Sequence, residues 1–256
     1  MRTIRKRPAP NALAEWRAPR LAANRSEGME CDYEQMRRSP EVLEAVEDGL
    51  FAEQGGICAY TGHRIGLRAA SGGDAIERAV DFHIEHMTPQ KYCKPKHGNY
   101  GKDADYENLA ACWPRPNCGF EPAYGAKKKG NWPAPENQSR FVSPLLANCS
   151  ARFGFNRRGE IIAAQPDDEA ASETIKRLGL NHSTLAELRR EAIRGALNPA
   201  SRPIKLAEAR KLLQQMRQAS DSVDQGVSVQ LMPFCFAIQP ALEREIRKLE
   251  AIRKQK

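Results

Sequence analysis

Hydrophobic spacing divides the chain into unequal stretches. Within 33–54, Val42, Leu43, Val46, Leu50 and Phe51 recur at helical intervals after Ser39-Pro40 and before Gly55-Gly56. Proline suits the first turn of a helix and glycine the residue just past its end, so this stretch predicts a helix. The helical period then disappears. Residues 57–64 and 78–86 predict two short strands, because Val80, Phe82 and Ile84 alternate and Ser71-Gly72-Gly73-Asp74 supplies a loop between the two. Positions 91–105, rich in Lys, Pro, Gly and Asp, read as loop. Residues 106–112 predict a short helix capped by Asp105, and 113–140, with five prolines, reads as irregular.

After Phe141 the pattern changes again. A hairpin is expected over 152–162, followed by helices at 167–178, ended by Gly179, and from the caps Asn181 and Ser183 to about Leu197. Two more cover 203–219 and 240–255, the last with Leu242, Ile246 and Leu249 on one face. Residues 1–25, with Pro8, Pro10 and Pro19, predict an extended arm with a helical turn at 13–16. There is no internal repeat. The fold class expected is α+β and mainly helical, in three parts: an amino-terminal arm and helix (1–55), a loop-rich middle (56–140), and a hairpin with helices (141–256).

Composition narrows the class. With 41% hydrophobic and 7% aromatic residues in 256, and a mean hydropathy of −0.64, the core is modest. No apolar run approaches the roughly 18–20 residues of a membrane span, and the basic amino terminus leads into no apolar stretch, so a soluble, unexported, cytoplasmic protein without membrane contact is expected. Seven irregularly spaced cysteines suit a reducing compartment, with a metal site or free thiols. The net charge of +8 is unevenly placed. Residues 1–25 carry seven Arg or Lys against Glu15, and 26–57 carry two against nine acids. The stretch 58–140 nets +3 and the remainder +6. The arm that bears Arg2, Arg5, Lys6 and Arg7 therefore has two readings, one in which it pairs within the fold and one in which it meets phosphate.

The chemistry-bearing residues gather between Cys58 and Trp132, around Asp81-Phe82-His83-Ile84-Glu85-His86-Met87-Thr88-Pro89. On a strand, Asp81, His83 and Glu85 share one face and His86 takes the other, unless the strand ends there, as Pro89 would allow. An acid directly before a histidine at a strand end sets a carboxylate toward a divalent cation and an imidazole toward an attacking water. Phosphodiester hydrolysis needs both: a base to activate water and a positive charge to meet the scissile phosphate. Histidine suits the first task because its ordinary pKa lies near neutrality. Two histidines on a strand also fit a structural or surface role, so the string alone does not select catalysis.

Its surroundings add to it. Cys58-Ala59-Tyr60-Thr61-Gly62 precedes the pair; Tyr106-Glu107-Asn108-Leu109-Ala110-Ala111-Cys112, Cys118 and Lys127-Lys128-Lys129-Gly130-Asn131-Trp132-Pro133 follow it. This set resembles the HNH endonuclease superfamily and, more closely, the PtuB family of anti-phage HNH proteins. Phe141-Val142-Ser143-Pro144-Leu145, the run 154–159 and the run 174–181 extend the likeness, which covers roughly residues 1–200. It implies a ββα-metal nuclease core at 56–140 and hydrolysis of nucleic-acid phosphodiester bonds, DNA foremost. It also implies a carboxy-terminal region that docks on an ABC-type ATPase (PtuA-like) in a Septu system, or in a retron system with a reverse transcriptase and its RNA-DNA hybrid.

Carried over residue by residue, the resemblance makes His86 the general base, Glu85 a metal ligand, and Asn108 the brace of the loop or base, a role compatible with capping. His83 reads as a second metal ligand, a phosphate contact or a solvent-facing strand residue. The ion implied is Mg²⁺ or Mn²⁺, with Lys127, Lys128 and Lys129 as phosphate contacts. Two departures stand out. The family's structural zinc knot uses two Cys-x-x-Cys pairs, whereas Thr61 stands where the partner of Cys58 would be and five residues separate Cys112 from Cys118. Structural Zn²⁺ on Cys58, Cys112 and Cys118 thus lacks its fourth ligand unless His63, Cys93 or His97 supplies it; buried free thiols are the other reading. Ahead of Lys-Gly the family helix offers His or Asn, which this chain lacks, leaving Glu121 or Asn117 as third metal ligand. Magnesium tolerates this, being held by as few as one or two carboxylates. Besides the nuclease, a ββα element that has lost catalysis and binds nucleic acid or scaffolds the same complex fits the sequence. A metal-assisted hydrolase of a smaller phosphoester fits the acid-histidine pair but leaves the basic segments without a role.

Overall fold

A computed structural model describes residues 1–23, 29–69 and 78–255. The fold is α+β and mainly helical. Helices α1 (Asn11–Ala22), α2 (Tyr33–Arg37) and α3 (Pro40–Glu53) come first. Strands β1 (Leu67–Ala69), β2 (Arg78–Val80), β3 (His83–His86) and β4 (Leu109–Cys112) and the short helix α4 (Ala126–Lys129) form the middle. Then come β5 (Phe153–Phe155), β6 (Ile161–Ala163), α5 (Glu169–Arg177), α6 (Ser183–Leu197), α7 (Leu206–Asp224) and α8 (Cys235–Lys254). The strands pair antiparallel as β1-β2, β3-β4 and β5-β6. No helix among the described residues is long and apolar enough to cross a membrane.

Several sequence expectations are corrected. The stretch 33–54 is two helices: Asp32 caps α2 through the Gln35 N–H at 2.9 Å, and Pro40 opens α3. The arm is a full helix from Asn11 onward, and Met1 and Ile4 are buried in the core. Its charges pair within the fold, Arg2 to Asp224, Lys6 to Glu53 and Arg17 to Asp105, while the exposed Arg5 reaches Asp224 from the surface. Of 57–64 only a bridge between Ile57 and Arg64 is extended; the rest turns through Gly62. The loop expected at 71–74 lies outside the described residues.

The expected helix at 106–112 is one 3-10 turn, Tyr106–Asn108, followed by β4. Asp105 caps that turn as expected, accepting the Glu107 N–H at 3.2 Å. Tertiary contacts override the helical preference of Leu-Ala-Ala. Gln54 spans the Ala111 backbone with two hydrogen bonds, 2.7 and 2.8 Å, and the Ala59 N–H donates to Ala111 O at 3.2 Å, so β4 is held from its second edge. All four β4 residues are fully buried, and the two alanines leave α3 room to lie against them.

The carboxy-terminal half follows the sequence closely. Asp168 caps α5 at the Ala171 N–H while gripping Arg152. The β5-β6 turn needs glycine at 159: φ is +79°, and a Cβ there would lie 2.1 Å from Ala186 O. Buried Arg189 donates to Gly159 O at 2.6 Å and to Leu180 O, pinning the turn to α6. Asn181, expected as a helix cap, instead bonds both backbone groups of Ile161 at 2.8 and 2.9 Å. Helix α8 packs along α6 and α7. Buried apolar side chains of all three sequence segments form one cluster, and backbone bonds such as Leu231 N to Gly55 O and Gly125 N to Leu178 O join the segments.

Candidate active site

The register of β3 against β4 decides how the site is built. His83 lies opposite Cys112, Ile84 opposite Ala111, Glu85 opposite Ala110 and His86 opposite Leu109, with Met87 N still bonded to Asn108 O. The strand therefore runs through His86 rather than ending before it, and alternation sends His86 to the face opposite His83 and Glu85. His83 and Glu85 are partly exposed; His86 is buried.

On the first face the two Glu85 oxygens have different neighbours. Oε1 takes the Lys129 ammonium at 2.8 Å and lies 3.5 Å from the Tyr60 hydroxyl. Oε2 faces His83 Nε2 at 4.0 Å. His83 Nδ1 is 2.5 Å from Pro114 O. A carbonyl only accepts, so Nδ1 donates to it, and Nε2 is the ring nitrogen turned to Glu85. Neighbouring donors with bonds of about 2.1 Å to a shared ion stand about 3.0–3.4 Å apart, so this N,O pair would have to close by more than about half an ångström to hold a divalent cation together.

On the second face, His86 Nε2 donates to Asp103 O at 2.9 Å, which leaves the lone pair on Nδ1, and the ring meets Tyr33 edge-on at 4.6 Å. Burial, assisted by the charge of Lys129, lowers the His86 pKa to about 4 against the backbone bond that raises it. The imidazole is therefore neutral at physiological pH, the form a general base requires.

Asn108 ties these parts together. Its Oδ1 accepts the Thr88 N–H at 2.7 Å, and its amide donates to Thr88 O at 3.1 Å and Lys102 O at 3.0 Å. Thr88 follows His86 by two residues, and Lys102 precedes the residue whose carbonyl holds the imidazole. One buried amide thus fixes both walls around His86.

Other candidates fall elsewhere. Glu121 is 82% exposed and pairs with Lys127 at 3.3 Å, on the surface. Asp81 accepts the Gly66 N–H at 2.5 Å. Lys127 and Lys128 are exposed, but Lys129, expected at a phosphate, is a buried cation that bridges Glu85 and His86 O, the latter at 2.9 Å. Cys58 and Cys112 hydrogen-bond to each other. Burial pushes the Cys58 thiol up, but bonds from Cys112, Thr61 and the Trp113 N–H outweigh it and bring the pKa down. Burial and the Cys58 bond push Cys112 up. Cys118 instead bonds Phe120 O, Cys93 bonds the carbonyls of Thr88 and Pro89, and His63 stacks on Trp113 at 4.4 Å. Among the described residues no three His, Cys, Asp or Glu side chains gather as a metal-holding group. Thr61 occupies the second knot position and bonds Cys58 where a metal would.

Sequence reasoning missed the Lys129–Glu85 pair, the Asp103 carbonyl and Tyr33. Lys129 was visible only as one of three lysines, and a backbone carbonyl leaves no signal in residue type. No family model matches this chain, and no curated protein does.

Proposed function

We propose that the protein is a metal-dependent HNH endonuclease with a ββα-metal core, built from β3, β4 and α4, that hydrolyses nucleic-acid phosphodiester bonds. In this reading it is the effector of an anti-phage complex with an ABC-type ATPase. The observation that carries it is the clamp of Asn108 on Thr88 and Lys102, which rigidifies the acid-histidine pair in the way a positioned base requires. Glu85 Oε2 and His83 Nε2 would hold the divalent cation, whose chemistry there is to neutralise charge on the scissile phosphate. In this reading His86 Nδ1 would take the proton of the attacking water, which requires the substrate to reach around β3 because His86 faces away from Glu85 and His83, while the Nε2 bond to Asp103 O fixes the tautomer and stabilises the positive charge that develops. Lys129 keeps Glu85 oriented through Oε1.

A catalytically weakened nucleic-acid-binding or scaffold subunit is the second reading. The burial of His86 on the face opposite Glu85 favours it, because water must enter that face for the base to act. Purified protein incubated with plasmid and Mg²⁺ or Mn²⁺, beside His86→Ala and Glu85→Gln, separates them. The nuclease reading expects nicking that both substitutions abolish. Nicking that survives His86→Ala removes the base assignment, and no cleavage with or without the partner ATPase leaves the binding subunit.

A further inference from the structure

Arg2, Lys6 and Arg17 of the arm pair with carboxylates in the fold, which leaves the arm less positive charge for a polyanion than its count suggests. A cavity of about 460 Å³ opens between α6, α8 and the β5-β6 turn, lined by Arg157, Arg190, Arg194, Arg244 and Lys248. Among the described residues Arg157 and Arg244 have no carboxylate partner, and Glu245 is the one acid in the lining. Arg190, Arg194 and Lys248 pair with Glu187, Glu191 and Glu245 of their own helices, at the exposed surface where such pairs are weak and exchange readily. We propose that this groove holds the sugar-phosphate backbone of a nucleic acid.

Four of the five cations are arginines, whose planar forks match phosphate oxygens two at a time. Ile193 and Leu197 in the lining are aliphatic, and no aromatic ring lines the groove to stack a base, so the contact reads backbone rather than sequence. Arg157 stands on a pre-organised base. Asn156 Oδ1 accepts the N–H of Arg158 at 2.9 Å and of Glu160 at 3.1 Å, and Arg189 grips the turn from below. The backbone that carries Arg157 is thus fixed, so only its side chain has to be ordered on meeting phosphate. The choice of nucleic acid over an acidic protein rests on the nuclease reading, but the contact requires no catalysis.

The test uses the full chain with Glu85→Gln, in chelator, and a fluorescein-labelled DNA duplex followed by anisotropy through a salt series. Arg157→Gln with Arg244→Gln is expected to weaken binding by about tenfold and to reduce the salt slope by about two, with thermal melting unchanged. Arg38→Gln with Lys211→Gln, the same change of charge away from the groove, is expected to leave both as they were. Equal losses in the two pairs overturn the proposal, as does polyglutamate displacing the DNA at matched charge. Groove-dependent binding by a chain that never cleaves would remove the nuclease reading and keep the groove.

Discussion

Two buried lysine-glutamate pairs stand in this molecule and do different work. Lys6 and Glu53, 2.5 Å apart with side chains 7% and 0% exposed, join the arm to α3. Glu53 also accepts the Arg7 N–H at 3.2 Å and the Tyr106 hydroxyl at 3.1 Å, and Lys6 reaches Leu109 O and the face of Tyr106. Both of its carboxylate oxygens have donors. Lys129 and Glu85, 2.8 Å apart and 1% and 13% exposed, differ in one respect: among the described residues Glu85 Oε2 accepts no hydrogen bond, and His83 Nε2 stands 4.0 Å from it. A carboxylate with every oxygen donated to is structural. One with an oxygen that accepts no hydrogen bond is, under the nuclease reading, the one left for a cation.

The sharpest way to break the first pair is Lys6→Met. Removing one partner strands a buried charge, which costs about 3–5 kcal/mol. Burial already pushes Glu53 up and Lys6 down, so the stranded carboxyl takes a proton as the pH falls. The loss is therefore expected to be largest at neutral pH and to shrink in acid, as denaturant melts at several pH values would read.

The next effect follows from His86. Its pKa falls from 6.5 when unfolded to about 4 in the fold, so between these values the unfolded chain binds a proton that the native one does not. Its stabilising effect is complete above about pH 6.5 and is lost as the pH falls through about 4, on the order of 3 kcal/mol in all. Stability of His86→Gln is expected to depend less on pH across that window. With His86 as the base, the same shift predicts that the acidic limb of a cleavage profile falls near pH 4, below the pH at which an ordinary histidine protonates.

For the second pair, Lys129→Met is expected to cost about 2 kcal/mol, less than Lys6→Met because Glu85 retains some access to water. The freed oxygen and lost positive charge should tighten Mn²⁺ binding, read by electron paramagnetic resonance, by about tenfold. Unchanged or weaker Mn²⁺ binding would show that Glu85 is as structural as Glu53. Smallest of all, Glu121→Gln is expected to change stability by no more than about 0.5 kcal/mol and to leave Mn²⁺ binding unaltered, since its carboxylate reaches only Lys127 at the surface.

The carboxy-terminal elements were legible because local signals and packing agree there. Gly159 and Gly179 sit at positive φ, and the apolar spacing of Leu242 and Ile246 becomes the buried face of α8. The middle was less legible. Leu-Ala-Ala-Cys reads as helix by propensity, yet the edges offered by β3 and Gln54 draw it into a strand. The acid-histidine string and Asn108 could be picked out because acid-base chemistry, if present, needs particular side chains at particular spacings. Glu121 was chosen only because an acid was wanted.

The sequence by itself determined the mainly helical α+β class and the residues able to carry acid-base chemistry. These follow from local geometry and from side-chain type, while the β3-β4 register settled that His86 faces away from His83 and Glu85. Only the tertiary structure decided that the basic arm is consumed by Asp224 and Glu53, that Lys129 is buried against Glu85, and that Asp103 supplies a carbonyl to His86. It also left Arg157 and Arg244, in the groove of α6 and α8, without a carboxylate partner among the described residues. Charge in a sequence is only a count, and its partners are set by contacts between residues as far apart as Arg2 and Asp224.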